Sequence, residues 1–246
     1  YNRAHLQPHF DLAEGTIGGM VDEMEAAMEA TTCDELFDRL EARRALFRID
    51  TQVRPTMFRC AMVTGAELHA ARQVRNVVRL GRVTAITEDW IRLEHGEIPT
   101  SPSYVHINCA ADGVPVRPVL PIFQDGRIVL QFVQHCWPLF SAALIAFLEA
   151  SRQDDVERNR LAMPIPMADE PLDWLRGRLM DEHNAHLWAQ HADIEAWKER
   201  SRLDSFSGMF AEAERNPTLV LAALLMRLAE VRPVGLAKIA ALLETA

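Results

Sequence analysis

Val83-Thr84-Ala85-Ile86, Trp90-Ile91-Arg92-Leu93, His95-Gly96-Glu97-Ile98 and Val105-His106-Ile107-Asn108-Cys109-Ala110-Ala111-Asp112-Gly113 follow one another inside Asn76–Leu148. The first two runs alternate apolar and polar side chains across Glu88-Asp89, the pattern of two strands joined by a hairpin turn. Gly81 and His95-Gly96 punctuate the same stretch. Val105–Cys109 is a short, largely apolar run that stops at Asp112-Gly113, the pattern of a buried strand in an open sheet.

Working outward, Pro115, Pro118 and Pro121 space a crossing segment, and Asp125-Gly126 leads into a further strand over Arg127–Val133. Pro138 then opens a strongly apolar helix through Glu149, since proline suits the first turn. Upstream, Ile17, Met20, Val21, Met24, Ala27 and Met28 recur at helical spacing within Gly15–Ala30. Thr32 with Glu35 and Thr64 with Glu67 are capping-box patterns that start two short helices. Phe47–Val63, with Pro55, reads as loop with short extended pieces. Downstream, Pro171–Gln190, Ile194–Arg202, Pro217–Val231 and Pro233–Leu243 read as four helices.

The central segment resembles the closing part of the nicotinamide-binding domain in flavoproteins with two dinucleotide-binding domains. In that family a β-meander precedes an apolar strand ending in Ala-Thr-Gly. Here Ala110 or Ala111 stands for the alanine and Gly113 for the glycine, while Asp112 replaces the threonine. The strand-to-helix passage Gln134-His135-Cys136-Trp137-Pro138 is similar to the one whose helix N-terminus faces the flavin, with His135-Cys136 in place of the family's Gly-Asp pair.

The resemblance implies an α/β fold, with return strands of Rossmann-like sheets over residues 76–150. Residues 1–75 would be a helical insertion or linker, and residues 151–246 a helical C-terminal cap. It also implies FAD and NAD(P)H as cofactors and hydride transfer on to a small-molecule substrate or oxygen. Ala111, Asp112, Gly113, His135, Cys136 and Ser141 would touch the cofactors.

The glycine-rich G-x-G-x-x-G turns that hold both pyrophosphates are missing. The Gly15, Gly18 and Gly19 cluster lies in a helical pattern with no preceding strand. The chain also begins at Tyr1 without an initiator Met, so the expectation is a C-terminal fragment that starts just after the nicotinamide fingerprint unit. Such a fragment alone is expected not to hold FAD tightly.

Composition narrows the alternatives. The 246 residues are 49% apolar and 25% charged, which is enough apolar content to bury a core. A net charge of −9 argues against a nucleic-acid surface despite Arg72, Arg75, Arg79 and Arg82. Leu139–Leu148 and Leu219–Leu228 are each about ten residues, half of a membrane span. Tyr1–Leu12 lacks the apolar core of a signal peptide. Cys33, Cys60, Cys109 and Cys136 form no C-x-x-C pair, so a reduced, cytoplasmic setting without disulfides or a zinc knuckle is expected.

His135 is the acid–base candidate, because imidazole titrates near neutrality; its alternative is an exposed loop residue. Cys136 and Cys109 read more simply as packing residues. His183, His186 and His191 with Asp181 and Glu182 suggest a metal, yet a polar helix face explains them without one and no metal is expected. Trp174, Trp188 and Trp197 read as core or interface anchors. The rival function is a non-enzymatic helical interaction module, which would expose an apolar patch on Pro171–Leu243.

Overall fold

Free N–H groups at helix starts need acceptors, and at the early helices this sequence supplies them from side chains. The computed structural model describes Tyr1 and residues 13–58, 60–110, 117–204 and 206–245. Helix α1 (Ala13–Glu29) buries Ile17, Val21, Met24 and Ala27 on one face. Helix α2 (Cys33–Ala42) is capped by Thr32, whose hydroxyl accepts the Glu35 N–H at 3.1 Å. The Glu35 carboxylate reaches back to Thr31, accepting its N–H at 2.8 Å and its hydroxyl at 2.6 Å. Helix α3 (Gly65–Arg72) has the fully reciprocal box: Thr64 accepts the Glu67 N–H at 3.2 Å, and Glu67 accepts the Thr64 N–H at 2.7 Å.

The chain divides into two units, His69–Pro115 and Tyr1–Leu68 with Val116–Ala246. These boundaries cut through the expected 76–150 domain and place its second half with the helices.

The smaller unit holds an antiparallel sheet of β1 (Val83–Ile86), β2 (Trp90–Leu93) and β3 (Gly96–Pro99), in that order. Ile86 pairs with Ile91 and Ile91 with Ile98, and a bulge lies between Val83 and Ala85. The turn is pinned at Thr87, whose N–H donates to the Trp90 carbonyl at 2.8 Å while its hydroxyl accepts the Trp90 N–H at 3.0 Å. Gly81 has φ +83, and an added Cβ would stand 2.8 Å from that of Glu94, so no other residue fits without strain.

The buried strand expected at Val105–Cys109 does not form. No ladder includes it, and Val105 and Ile107 are 86% and 80% exposed. An apolar run becomes a strand only when a neighbour takes its backbone groups, and no described residue does so here. Ala111, Asp112 and Gly113 lie outside the described residues.

In the larger unit β4 (Phe123–Gln124) and β5 (Arg127–Ile128) pair across Asp125-Gly126, where Gly126 takes φ +70. The strand expected through Val133 is thereby shortened to two residues. Side chains take the ladder's place. The Gln131 amide bonds both the N–H and the carbonyl of Leu120, and the Val133 N–H goes to the Ser141 hydroxyl.

Helices α4 (Pro138–Ser151), α5 (Asp155–Leu161), α6 (Pro171–Trp188), α7 (Ala192–Arg200), α8 (Ser207–Arg215) and α9 (Leu219–Glu244) complete the unit. Helix accounts for 52% and strand for 8%, so the core is helix on helix. Every strand pair among the described residues is antiparallel.

Two apolar clusters form the core. Ile17, Leu36, Leu40, Trp174, Leu228 and Ile239 belong to one. Phe123, Phe140, Leu144, Leu161 and Trp188 belong to the other, where the Trp188 indole N–H donates to the Leu161 carbonyl at 2.8 Å.

The two helices expected on either side of Pro233 are one. Pro233 lies inside α9 and leaves the Ala229 carbonyl without its helical donor. Burial of Val231 and Ile239 on both sides of the proline holds the helix together against α1. Helix α9 comes so close to α1 that a Cβ on Gly235 would lie 3.0 Å from Met24 Cα.

Candidate functional site

The link into α4 carries the chemistry. Gln134-His135-Cys136-Trp137 makes a tight turn in which the Trp137 N–H bonds the Gln134 carbonyl at 3.2 Å. Cys136 takes φ +63, a left-handed conformation rare for a residue with a Cβ. The turn is anchored from α6, where Asp181 accepts the His135 backbone N–H at 2.7 Å. Asn184 on the same helix donates to the Val133 and Met163 carbonyls, both at 2.8 Å.

Gly177 on α6 makes room for the His135 ring. A Cβ there would collide with Nδ1 and lie 2.7 Å from Cε1. The ring is only 7% exposed, and neither nitrogen has a hydrogen-bond partner. Burial first, and then the nearby Arg178 charge, lower its pKa to about 4. At neutral pH it is therefore a neutral imidazole with a free lone pair.

Cys136 pairs with Cys60 in a disulfide with Cα atoms 6.0 Å apart. This corrects the expectation of unpaired cysteines. The two are 76 residues apart, so no local spacing could announce the pair. The His135 ring and both sulfurs present ligand atoms that all lie within 4.8 Å of one another. Cys33 and Cys109 are free, and Cys109 is exposed rather than packed at a strand end.

These groups border a cavity of about 680 Å³, within the usual range for small-molecule sites. A half-buried charge cluster lines it. Arg178 pairs with Glu23 at 2.5 Å and with Asp181 at 3.8 Å. Burial opposes the Arg178 charge, but Glu23 and Asp181 overcome that penalty and hold the guanidinium protonated. Burial pushes the Asp181 carboxyl up to about 6, against the pull of Arg178 and of the His135 N–H. The Tyr1 hydroxyl accepts the Trp174 indole N–H at 2.6 Å, and burial together with Glu23 raises its pKa.

Of the expected cofactor contacts, His135 and Cys136 meet at this cavity, and Asp181, Glu182 and His186 of the weighed metal group, with Trp174 and Trp188, also line it. Ser141 does not line it; its hydroxyl donates to the Trp137 carbonyl at 2.7 Å and accepts the Val133 N–H at 3.1 Å, a structural task. His183 and His186 are exposed, and His191 sits 3.5 Å from Arg160. Trp174 and Trp188 are buried, and Trp197 stacks on Phe147 at 5.1 Å. Cys60, Glu23 and Arg178 were not anticipated.

No protein family matches the chain, and no solved structure matches it. The uncharacterized proteins Rv2000 of Mycobacterium tuberculosis and Mb2023 of Mycobacterium bovis are each 38% identical to it over 216 residues. The alignment covers 88% of this chain and 40% of each relative, so the chain spans about two fifths of the length of the curated relatives it matches. No described helix is long and apolar enough to cross a membrane.

Proposed function

We propose that this chain supplies the flavin-facing part of an FAD- and NAD(P)H-dependent oxidoreductase, completed by glycine-rich dinucleotide-binding units in a longer protein. The observation that carries the reading is the bare apolar segment after the β1–β3 meander. Val105 and Ile107 leave roughly 1.5–3 kcal/mol of burial each unrealised, which makes sense for a return strand whose sheet is built by another segment. The greater length of the mycobacterial relatives is in keeping with such a segment.

The site suits part of a flavin. Helix α4 starts at Pro138 without a side-chain cap, so the N–H groups of Leu139 and Phe140 beside the cavity-lining Trp137 have no helical acceptor and its dipole favours an electron-rich ring edge. The cavity reaches Trp137 and Phe206, whose rings meet edge to face at 5.5 Å and would exclude water. When bound, the flavin would supply hydride chemistry between NAD(P)H and a substrate or oxygen. At the cavity the chain contributes Arg178, paired with Glu23 and Asp181, the further cations Lys198 and Arg232, and a carboxyl at Asp181 that titrates around 6. The Asp181 carboxyl is suited to moving a proton.

A second reading is the helical interaction module, favoured by the exposed Leu219, Val220, Met226 and Val234 on α9. The experiment that separates the two is purification of the protein from its whole reading frame. One flavin per chain, bleached by NAD(P)H, is the expected result. A reading frame without a glycine-rich unit, whose product carries no flavin, would refute the oxidoreductase and leave the interaction module.

A further inference from the structure

We propose that Cys60, Cys136 and His135, with both cysteines reduced, bind a single zinc-class divalent cation whose fourth position opens into the cavity. This goes beyond the oxidoreductase reading and does not depend on it. Two observations carry it. The first is convergence: ligand atoms from distant parts of the sequence lie within 4.8 Å of one another. Donors bonded to one zinc at about 2.0–2.3 Å stand roughly 3.3–3.8 Å apart, so the two sulfurs, once reduced, must part from bonding distance to that spacing around the ion.

The second is the His135 ring, which is 7% exposed with neither nitrogen partnered. A buried polar group without a partner is costly, and the fold maintains this one by leaving α6 without a side chain at Gly177. Coordination would give one ring nitrogen the partner it lacks.

The charges also agree. Two thiolates and a neutral imidazole around a divalent cation sum to zero, the arrangement that low-dielectric surroundings tolerate best. The donor set, two sulfurs and one nitrogen, selects zinc or cobalt over magnesium or calcium. Three protein ligands with an open position are the pattern of a reactive rather than a purely structural zinc site. The open position would take water.

The disulfide and the metal site are alternative states of the same two sulfurs. Opening the disulfide takes two electrons and two protons. A trialkylphosphine supplies the electrons and leaves as the phosphine oxide, with its oxygen and the two protons coming from one water. Metal binding then releases the protons of both thiols.

The test uses the full 246-residue chain, reduced with a phosphine, checked by thiol count, freed of metal and titrated with cobalt and then zinc without oxygen. The expected result is one cobalt per chain, with a thiolate-to-cobalt absorption band that zinc displaces. Cys60→Ser and Cys136→Ser should abolish the band, and His135→Ala should weaken binding at least tenfold. Cys109→Ser should change nothing. Because a variant can fail to fold, zinc protection of two thiols against alkylation is measured on the unmodified chain, counted by mass. Absence of the cobalt band in the fully reduced chain, a band that survives either serine variant, or affinity unaltered by His135→Ala would overturn the proposal.

Discussion

Gly235→Ala should destabilise the protein even though it improves a helix. Alanine gains about 1 kcal/mol over glycine in helix propensity. Against that stands the contact with α1. An added Cβ would lie 2.9 Å from Met24 Sδ and 3.0 Å from Met24 Cα. The sulfur can rotate away, but the Cα belongs to the helix backbone, so α9 and α1 must part by a few tenths of an ångström. Overpacking of this kind costs about 1–3 kcal/mol, which leaves a net loss of about 1 kcal/mol.

For a chain of this length that lowers Tm by about 2–4 °C. Gly18→Ala, between the same two helices, provides the control. There the nearest neighbour, Leu224, is 3.9 Å away, an ordinary contact, so the substitution should raise stability by about 0.5–1 kcal/mol. Thermal unfolding followed by circular dichroism reads both. If Gly235→Ala matches or exceeds the parent, or both variants shift the same way, the close approach of α9 to α1 is wrong.

Two further substitutions probe the frame around the cavity. Asn184→Ala removes the donor to the Val133 and Met163 carbonyls and should cost about 2–4 kcal/mol, lowering the urea midpoint with an unchanged slope; a loss under about 1 kcal/mol would mean that those bonds do not hold the link in place. Glu25 on α1, which bridges to Arg227 on α9, has its pKa lowered first by that hydrogen bond, with burial opposing and Arg43 assisting. A depressed carboxylate contributes stability that is present above the usual carboxylate range and lost as pH falls through its lowered value. Glu25→Gln should therefore flatten the acid side of the stability profile, by about 0.5–1 kcal/mol since the pair is partly solvated; an unchanged acid limb would count against the bridge.

What the sequence discloses is local. Thr32, Thr64, Pro138 and Pro171 mark helix starts because capping and proline geometry involve only neighbouring residues. The meander is legible because alternation and the Glu88-Asp89 turn lie within one short stretch. Pro233 misleads because its penalty is local, whereas the burial of Val231 and Ile239 that offsets it depends on α1, more than 200 residues earlier. Val105–Cys109 misleads in the opposite sense, since a short apolar run records what a segment can bury and not whether a partner lies alongside. Of the candidate site, His135 and Cys136 stood out for their place before a helix. Cys60, Glu23 and Arg178 did not, because only the tertiary fold joins them.

Helix α6 explains why the site escapes a search for hydrophobic periodicity. Trp174, Gly177, Arg178, Asp181, Asn184 and Trp188 follow one another at spacings of one, three and four residues, the stripe that ordinarily faces a core. Its two ends obey the rule, for Trp174 anchors one apolar cluster and Trp188 the other. With both ends fixed, the helix cannot turn about its axis, and the residues between them must face inward. Those residues are a glycine, two charged groups and an amide. Apolar side chains of similar volume would on general grounds make at least as stable a core, since buried ion pairs seldom repay their desolvation. Here Arg178, Glu23 and Asp181 keep part of their solvent contact, while Asp181 and Asn184 spend their hydrogen bonds on the 133–137 link. The middle of α6 thus seats the unpartnered His135 ring over Gly177 and fixes the turn that carries Cys136.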